Sequence, residues 1–244
     1  MRPLTAQAIA HIWERGQDRH TLDRALLLLS PAFPKMNWDD LATLTVGQRN
    51  TCLFALRSST FGFTLRALAA CPSCACSLEF GLDSRDLCNS DRMAAVEEKQ
   101  SLSIGSVHVV FRPLTSRDMA AVAHSGSMAA ARALLIERCV LEARDGEQRL
   151  HSSDLSEDVI IALAERAAEG DPQAEVLLSL ACPDCGHEWS MVFDIASFFW
   201  TEIASEAKRL LHEVHTLARA YGWPEQDILS MSAVRRQIYL EMAS

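Results

Sequence analysis

The chain has 244 residues, 49% hydrophobic and 23% charged, which is ample for a buried core and too apolar for a disordered segment. Its net charge of −9 opposes non-specific binding to nucleic acid or anionic lipid and leaves protein partners open. No run approaches the ~18 apolar residues of a membrane span, and the N-terminal MRPLTAQAIAHIWERG lacks the apolar stretch of a secretory leader, so folding in a reducing cytoplasm is expected for the eight cysteines.

In chain order, residues 4–15 carry an amphipathic helical pattern. RHTLDRALLLLS continues it, with Leu22, Ala25, Leu26 and Leu29 on one face, until Pro31 and Pro34 interrupt. NWDDLATLTVGQRNTCLFALRSSTFG predicts a turn and then a helix over about 45–58, ending near Gly62. FTLRALAACP reads as a strand entering a first cysteine pair, and SLEFGLD alternates as a strand leaving it. Residues 85–100 are polar and read as a loop or short helix. SLSIGSVHVVFRPL predicts a hairpin turning at Gly105 and Ser106, with Leu102, Ile104, Val107, Val109 and Phe111 on its flanks. Thr115 or Ser116 can cap a helix that has Asp118 in its first turn.

The alanine-rich residues 127–143 read as one helix, RDGEQRLHSSDLSED as a polar connection, and residues 156–169 as a helix stopped by EGDP. EVLLSLACP is a strand leading into a second cysteine pair. A long amphipathic helix over about 198–221 places Leu210, Val214 and Leu217 on one stripe, GWPE breaks it, and a last helix covers about 225–242.

The two cysteine segments form an internal repeat. With Cys71 over Cys182, Pro72 meets Pro183, Cys74 meets Cys185, Leu82 meets Phe193, Asp83 meets Asp194 and Leu87 meets Phe198. Each unit is strand, C-P-x-C knuckle, strand. One unit supplies two thiolates and tetrahedral zinc takes four, so two facing units complete a closed site. Cys71, Cys74, Cys182 and Cys185 are the expected ligands of one structural Zn2+, with the residues between the knuckles inserted between the halves of a zinc ribbon. A redox C-x-x-C competes less well, because the residues after each pair alternate as a strand and do not open a helix. Cys76 aligns with His187, two positions past the second ligand, and stands as an alternative ligand through a C-x-x-x-x-C pairing with Cys71.

Other candidates have plainer readings. In HEVH, His212 and His215 lie three apart, whereas zincin histidines lie four apart, so an exposed helix face is expected. His187 can hydrogen-bond near a ligand sulfur or be solvated. Cys52, Cys88 and Cys139 read as buried structural thiols. Phe198, Phe199 and Trp200 read as core or interface; Trp200, Tyr221, Trp223 and Tyr239 are candidate partner contacts or core residues. The sequence contains no Ser–His–Asp arrangement, phosphate loop or G-x-G-x-x-G, and no enzyme is expected.

ALRSSTFGFTLRALAACPSC, LEFGLD, FRPLTSRDM, CPDCGHEW, FDIASFFWTEI and RLLHEVHTLARAYGWPEQDILSMSAVRRQIYLEM together resemble the T-even-type phage baseplate hub assembly chaperone family, found with contractile phage tails and extracellular contractile injection systems. The resemblance runs from about Trp13 and is most specific in the last helices and the knuckles. It implies a cytoplasmic protein, or one incorporated into a tail-like particle, that acts by binding other baseplate or hub proteins without catalysis; it also implies the same four cysteines. The family's first knuckle reads C-P-x-C-G, whereas this chain has Ala75 at a turn position that favours positive φ, at a cost of about 1 kcal/mol.

The expected fold is α+β: a split four-cysteine zinc ribbon with a large inserted β-hairpin and helical segment, flanked by N- and C-terminal helices. The expected segments are 1–62 (helical), 63–88 (first half-ribbon), 89–175 (insertion), 176–197 (second half-ribbon) and 198–244 (helix pair), as one unit. No nucleic acid, membrane or small-molecule partner is expected. The rival reading, a zinc-ribbon nucleic-acid-binding or regulatory protein, predicts a basic strand face, whereas Glu79 and Glu188 flank the knuckles.

Overall fold

Thr5 accepts a hydrogen bond from the Ala8 N–H and starts helix α1 (Ala6–Gly16); the His20 ring does the same for α2 (Thr21–Leu29). Reciprocal capping boxes, Asn37 with Asp40 and Thr45 with Gln48, open α3 (Trp38–Ala42) and α4 (Val46–Phe61). These are features of a computed structural model that describes residues 1–88 and 96–243. The turn expected before α4 is thus itself a short helix.

Strands β1 (Thr64–Ala70) and β2 (Ser77–Asp83) form a hairpin around the first knuckle, followed by α5 (Ser84–Leu87). Part of the polar stretch 85–100, and of the expected 89–175 insertion, falls on residues 89–95, outside the described residues. Beyond them, β3 (Gln100–Ile104) and β4 (Val107–Phe111) form the expected hairpin, with Gly105 at φ +58° in its turn.

Helix α6 (Ser116–Val122) precedes α7 (Met128–Cys139). Residues 127–143 are not one helix: α7 stops at Cys139 and the chain continues as β5 (Val140–Asp145), which pairs with β4. Val140 is β-branched, and pairing buries Ala143 opposite Val109; both gains outweigh the helical preference of Leu, Glu and Arg. The polar connection also holds structure: Gly146, at φ +58°, turns the chain into the two-residue β6 (Gln148–Arg149). The four strands run in the order β3-β4-β5-β6, all antiparallel.

Helix α8 (Glu157–Gly170) covers this sheet. Val159 and Leu163 bury against Val109, Phe111 and Ala143 in a core separate from the main one. Two parts of the inserted segment, the link between β4 and α6 and the stretch after α8, meet the N-terminus of α4. The Val46 N–H donates to the Leu114 carbonyl at 2.9 Å, the Gly47 N–H to the Asp171 carboxylate at 2.9 Å, and Asn50 Nδ2 to the Gln173 carbonyl at 2.9 Å. Gly47 is required here: a Cβ would lie 1.8 Å from Asp171 Oδ1.

Strands β7 (Leu177–Ala181) and β8 (Glu188–Val192) form the second knuckle hairpin. Helix α9 (Ile195–Tyr221) follows, three residues earlier than the expected start, because Asp194 caps it. Phe199, Ile203, Ala207, Leu210 and Leu217 form one fully buried stripe that packs on α1, α2 and α4. The expected last helix is two, α10 (Glu225–Ser230) and α11 (Ala233–Ala243). Between them Met231 is extended and the Ser232 hydroxyl accepts from the Arg235 N–H, a fresh N-cap. The architecture is mixed α and β, with a helical main core, a sheet-and-helix insertion and two knuckle hairpins.

Candidate metal centre

The two knuckles close with the same hydrogen bonds. The Cys71 N–H donates to the Cys76 carbonyl and the Ala75 N–H to the Cys71 carbonyl, each at 2.9 Å; the Cys182 N–H donates to the His187 carbonyl and the Gly186 N–H to the Cys182 carbonyl, again at 2.9 Å. Ala75 has φ +60° and Gly186 +69°; among the described residues Ala75 is the one non-glycine at positive φ. The repeat extends past the strands: the Asp83 carboxylate accepts from the Arg85 N–H at the start of α5, as Asp194 accepts from the Ala196 N–H at the start of α9.

These turns bring together four cysteines more than a hundred residues apart in two pairs. Cys71, Cys74, Cys182 and Cys185 place their sulfurs within 4.8 Å of one another. The cross-hairpin pairs are 3.7 Å (Cys71 to Cys185) and 3.6 Å (Cys74 to Cys182). Each hairpin contributes one buried cysteine, Cys71 or Cys182, and one exposed, Cys74 or Cys185. Four sulfurs at about 2.3 Å from a tetrahedral zinc stand about 3.8 Å apart, close to both cross-hairpin distances.

The thiols also compete for ionisation. The Cys185 and Asp184 N–H groups, opposed by burial, bring Cys182 down to about 7. The Cys76 N–H acts to lower Cys74, but the neighbouring thiols of Cys185, Cys182 and Cys71 outweigh it and push Cys74 up to about 12. Four thiolates in so small a space repel, and a central divalent cation removes that conflict; the donor set suits a soft, tetrahedral ion. A tetrahedral ion held by these four sulfurs would have no position open for substrate.

Cys76 lies outside this group. Its thiol donates to the Ser77 carbonyl at 3.7 Å, and the neighbouring Asp184 carboxylate with burial pushes it up to about 11. His187 is exposed and stacks on Trp189, with ring centroids 6.1 Å apart. His212 and His215 face solvent on α9, while Glu213 between them turns inward to the Arg236 guanidinium at 2.8 Å. Burial pushes the Cys52 and Cys139 thiols up to about 11, and raises Cys88. Phe199 is fully buried and Trp200 half-buried under the Arg24 guanidinium. Tyr221 stacks on Trp223 with centroids 4.5 Å apart, and Tyr239 meets both edge-on at 5.7 and 4.8 Å.

Among the buried polar junctions that sequence reasoning missed are Glu213 with Arg236, Arg57 with Glu202 at 2.5 Å, and Asp171 at the start of α4. Each joins residues distant in the chain, and no local motif announces such a pair.

A family model described as T4 bacteriophage base plate protein matches residues 28–200, about seven-tenths of the chain and both knuckles. No curated protein and no solved structure matches it.

Proposed function

The chain belongs to the T4 bacteriophage base plate protein family, and from that premise we propose that it is a non-enzymatic zinc protein that assists or joins baseplate assembly through protein–protein contacts. The observation that carries this reading is the four-sulfur cluster, built from two repeated hairpins in a baseplate-family chain. In this reading Cys71, Cys74, Cys182 and Cys185 hold one structural Zn2+. The half-ribbons 63–88 and 176–197 then form one split zinc ribbon around the insertion 89–175. The zinc supplies cross-linking and charge neutralisation and no chemistry.

The surroundings suit protein partners better than nucleic acid. Glu79 and Glu188 are exposed beside the knuckles, and the chain is acidic overall. Assembly takes place in the cytoplasm, and partners are other baseplate or hub proteins of a contractile tail.

Metal analysis of the purified chain tests the site: one zinc per chain is expected, lost in Cys71→Ser and Cys185→Ser. Metal-free protein with a titratable dithiol overturns it. Co-expression with the baseplate proteins encoded beside it tests the role, and co-purification of a defined complex is the expected result. Failure of every such pair to associate overturns the assembly reading.

A further inference from the structure

The two knuckle hairpins diverge from the cysteine cluster and leave a cleft of about 500 Å³ between them, floored by α9. Arg66, Ala67 and Leu68 of β1 form one wall, and Met191 and Val192 of β8 the other. Successive strand residues point to opposite faces, so a wall made of consecutive residues is the edge of the strand. β1 pairs only with β2 and β8 only with β7, in separate two-stranded sheets. Two strands that border one cleft without pairing stand more than one strand spacing, about 4.8 Å, apart.

The backbone register shows which groups that edge presents. The Cys71 N–H bonds the Cys76 carbonyl and the Ser84 N–H bonds the Phe63 carbonyl, so odd-numbered residues of β1 face β2. The N–H and C=O of Arg66 and Leu68 therefore point out of the sheet, toward the side on which the Thr64 carbonyl accepts from Arg57. In the second hairpin, the Cys182 N–H bonds the His187 carbonyl and the Phe193 N–H bonds the Val176 carbonyl, so Val192 likewise points away from β7.

We propose that this cleft takes an extended segment of a partner protein, which adds as a strand between β1 and β8 and joins the hairpins into one sheet. The proposal rests on the partner-binding reading above and names its surface. The cleft also sets the segment's chemistry. Leu68 and Val192 are 71% and 53% exposed at its walls and call for apolar side chains. Of the charges present, Glu202 is paired with Arg57, and Asp194 caps α9 and acts on the Arg49 guanidinium. Arg66 is exposed and has no carboxylate partner among the described residues, an uncompensated cation in a chain of net charge −9. The complementary segment alternates apolar residues with a carboxylate placed for Arg66. The five residues of β8 set its length at about 17 Å.

The test titrates the full, zinc-loaded chain with fluorescent twelve-residue peptides tiled across the baseplate proteins encoded beside it. Binding peptides are expected to carry the apolar-acidic pattern. Backbone N-methylation of the peptide and Arg66→Glu are each expected to weaken binding about tenfold or more. A peptide with Lys for its carboxylate should restore affinity for Arg66→Glu, and bound peptide should protect the Arg66, Leu68 and Val192 amides from hydrogen exchange. Binding indifferent to N-methylation and to Arg66→Glu overturns the proposal, as does a homodimer of the chain closed through this cleft. If intact baseplate proteins bind and no peptide does, the cleft proposal fails while the partner-binding reading stands; if neither binds, both fall.

Discussion

Ala75 and Gly186 occupy the same left-handed turn position, φ +60° and +69°, and each donates its N–H to the carbonyl of the first cysteine of its own knuckle at 2.9 Å. Glycine holds that conformation at no steric cost, whereas alanine's Cβ crowds its own carbonyl by about 1–2 kcal/mol. Ala75→Gly is therefore expected to stabilise the chain by about 0.5–1 kcal/mol, after the extra entropy glycine gains when unfolded. Gly186→Ala should cost a similar amount. Urea unfolding of the zinc-loaded variants measures both, and an Ala75→Gly variant no more stable than the parent would contradict the strain.

Cys74 and Cys76 separate under the same logic. Cys74 Sγ lies 3.6 Å from Cys182 Sγ inside the four-sulfur group, while the Cys76 thiol lies outside it and donates to the Ser77 carbonyl. Cys76→Ser should retain one zinc per chain and Cys74→Ser should lose it, as read by a chelator-competition titration. The reverse pattern would make Cys76 the ligand.

Glu213 turns inward from the HEVH stretch while His212 and His215 on either side stay exposed. The carboxylate is buried and bonded to Arg236 of α11 at 2.8 Å, which ties the C-terminal helix to α9. Glu213→Ala strands a buried guanidinium and is expected to cost about 3–5 kcal/mol. His212→Ala and His215→Ala remove only exposed rings and should stay within about 0.5 kcal/mol of the parent with zinc content unchanged. Thermal melts with parallel metal analysis distinguish the cases.

The knuckles were legible because their information is local and written twice, Cys-Pro-x-Cys between alternating strands; that the aligned Asp83 and Asp194 cap the helices that follow was not. The Gly105 hairpin and the α9 stripe were legible for the same reason, a period of two in one and a helical period in the other. What escaped depends on partners far along the chain. Val140 leaves a helical run because β4 is waiting to pair with it, and Asp145-Gly146 turns β5 back although the residues around it are polar. Met231 breaks the last helix where Arg236 must reach Glu213, a constraint invisible within the segment itself. The cleft between β1 and β8 belongs to this second kind, since its walls lie over a hundred residues apart.

Acid should loosen the inserted segment through Asp118. Its side chain is fully buried, and it accepts from Arg112 at 2.6 and 2.9 Å, from Arg138 at 2.8 Å and from the Thr115 hydroxyl at 2.7 Å. Burial alone would raise its carboxyl, but these donors outweigh it and hold the group well below the usual carboxylate range. A carboxylate whose pKa is lower folded than unfolded contributes stability that is complete above the unfolded value, about 3.9, and drains away as pH falls through the folded one. The bonds fix α6 and α7 against the end of β4, so hydrogen exchange in those elements should accelerate below about pH 4 before the tryptophan-bearing regions respond. Asp118→Asn keeps the shape and removes the charge. It is expected to cost about 3 kcal/mol at pH 7, the low end for a broken buried pair because both arginines are partly exposed, and to flatten the acid dependence. A variant whose stability still falls as steeply between pH 5 and pH 3 would place the acid-sensitive group elsewhere.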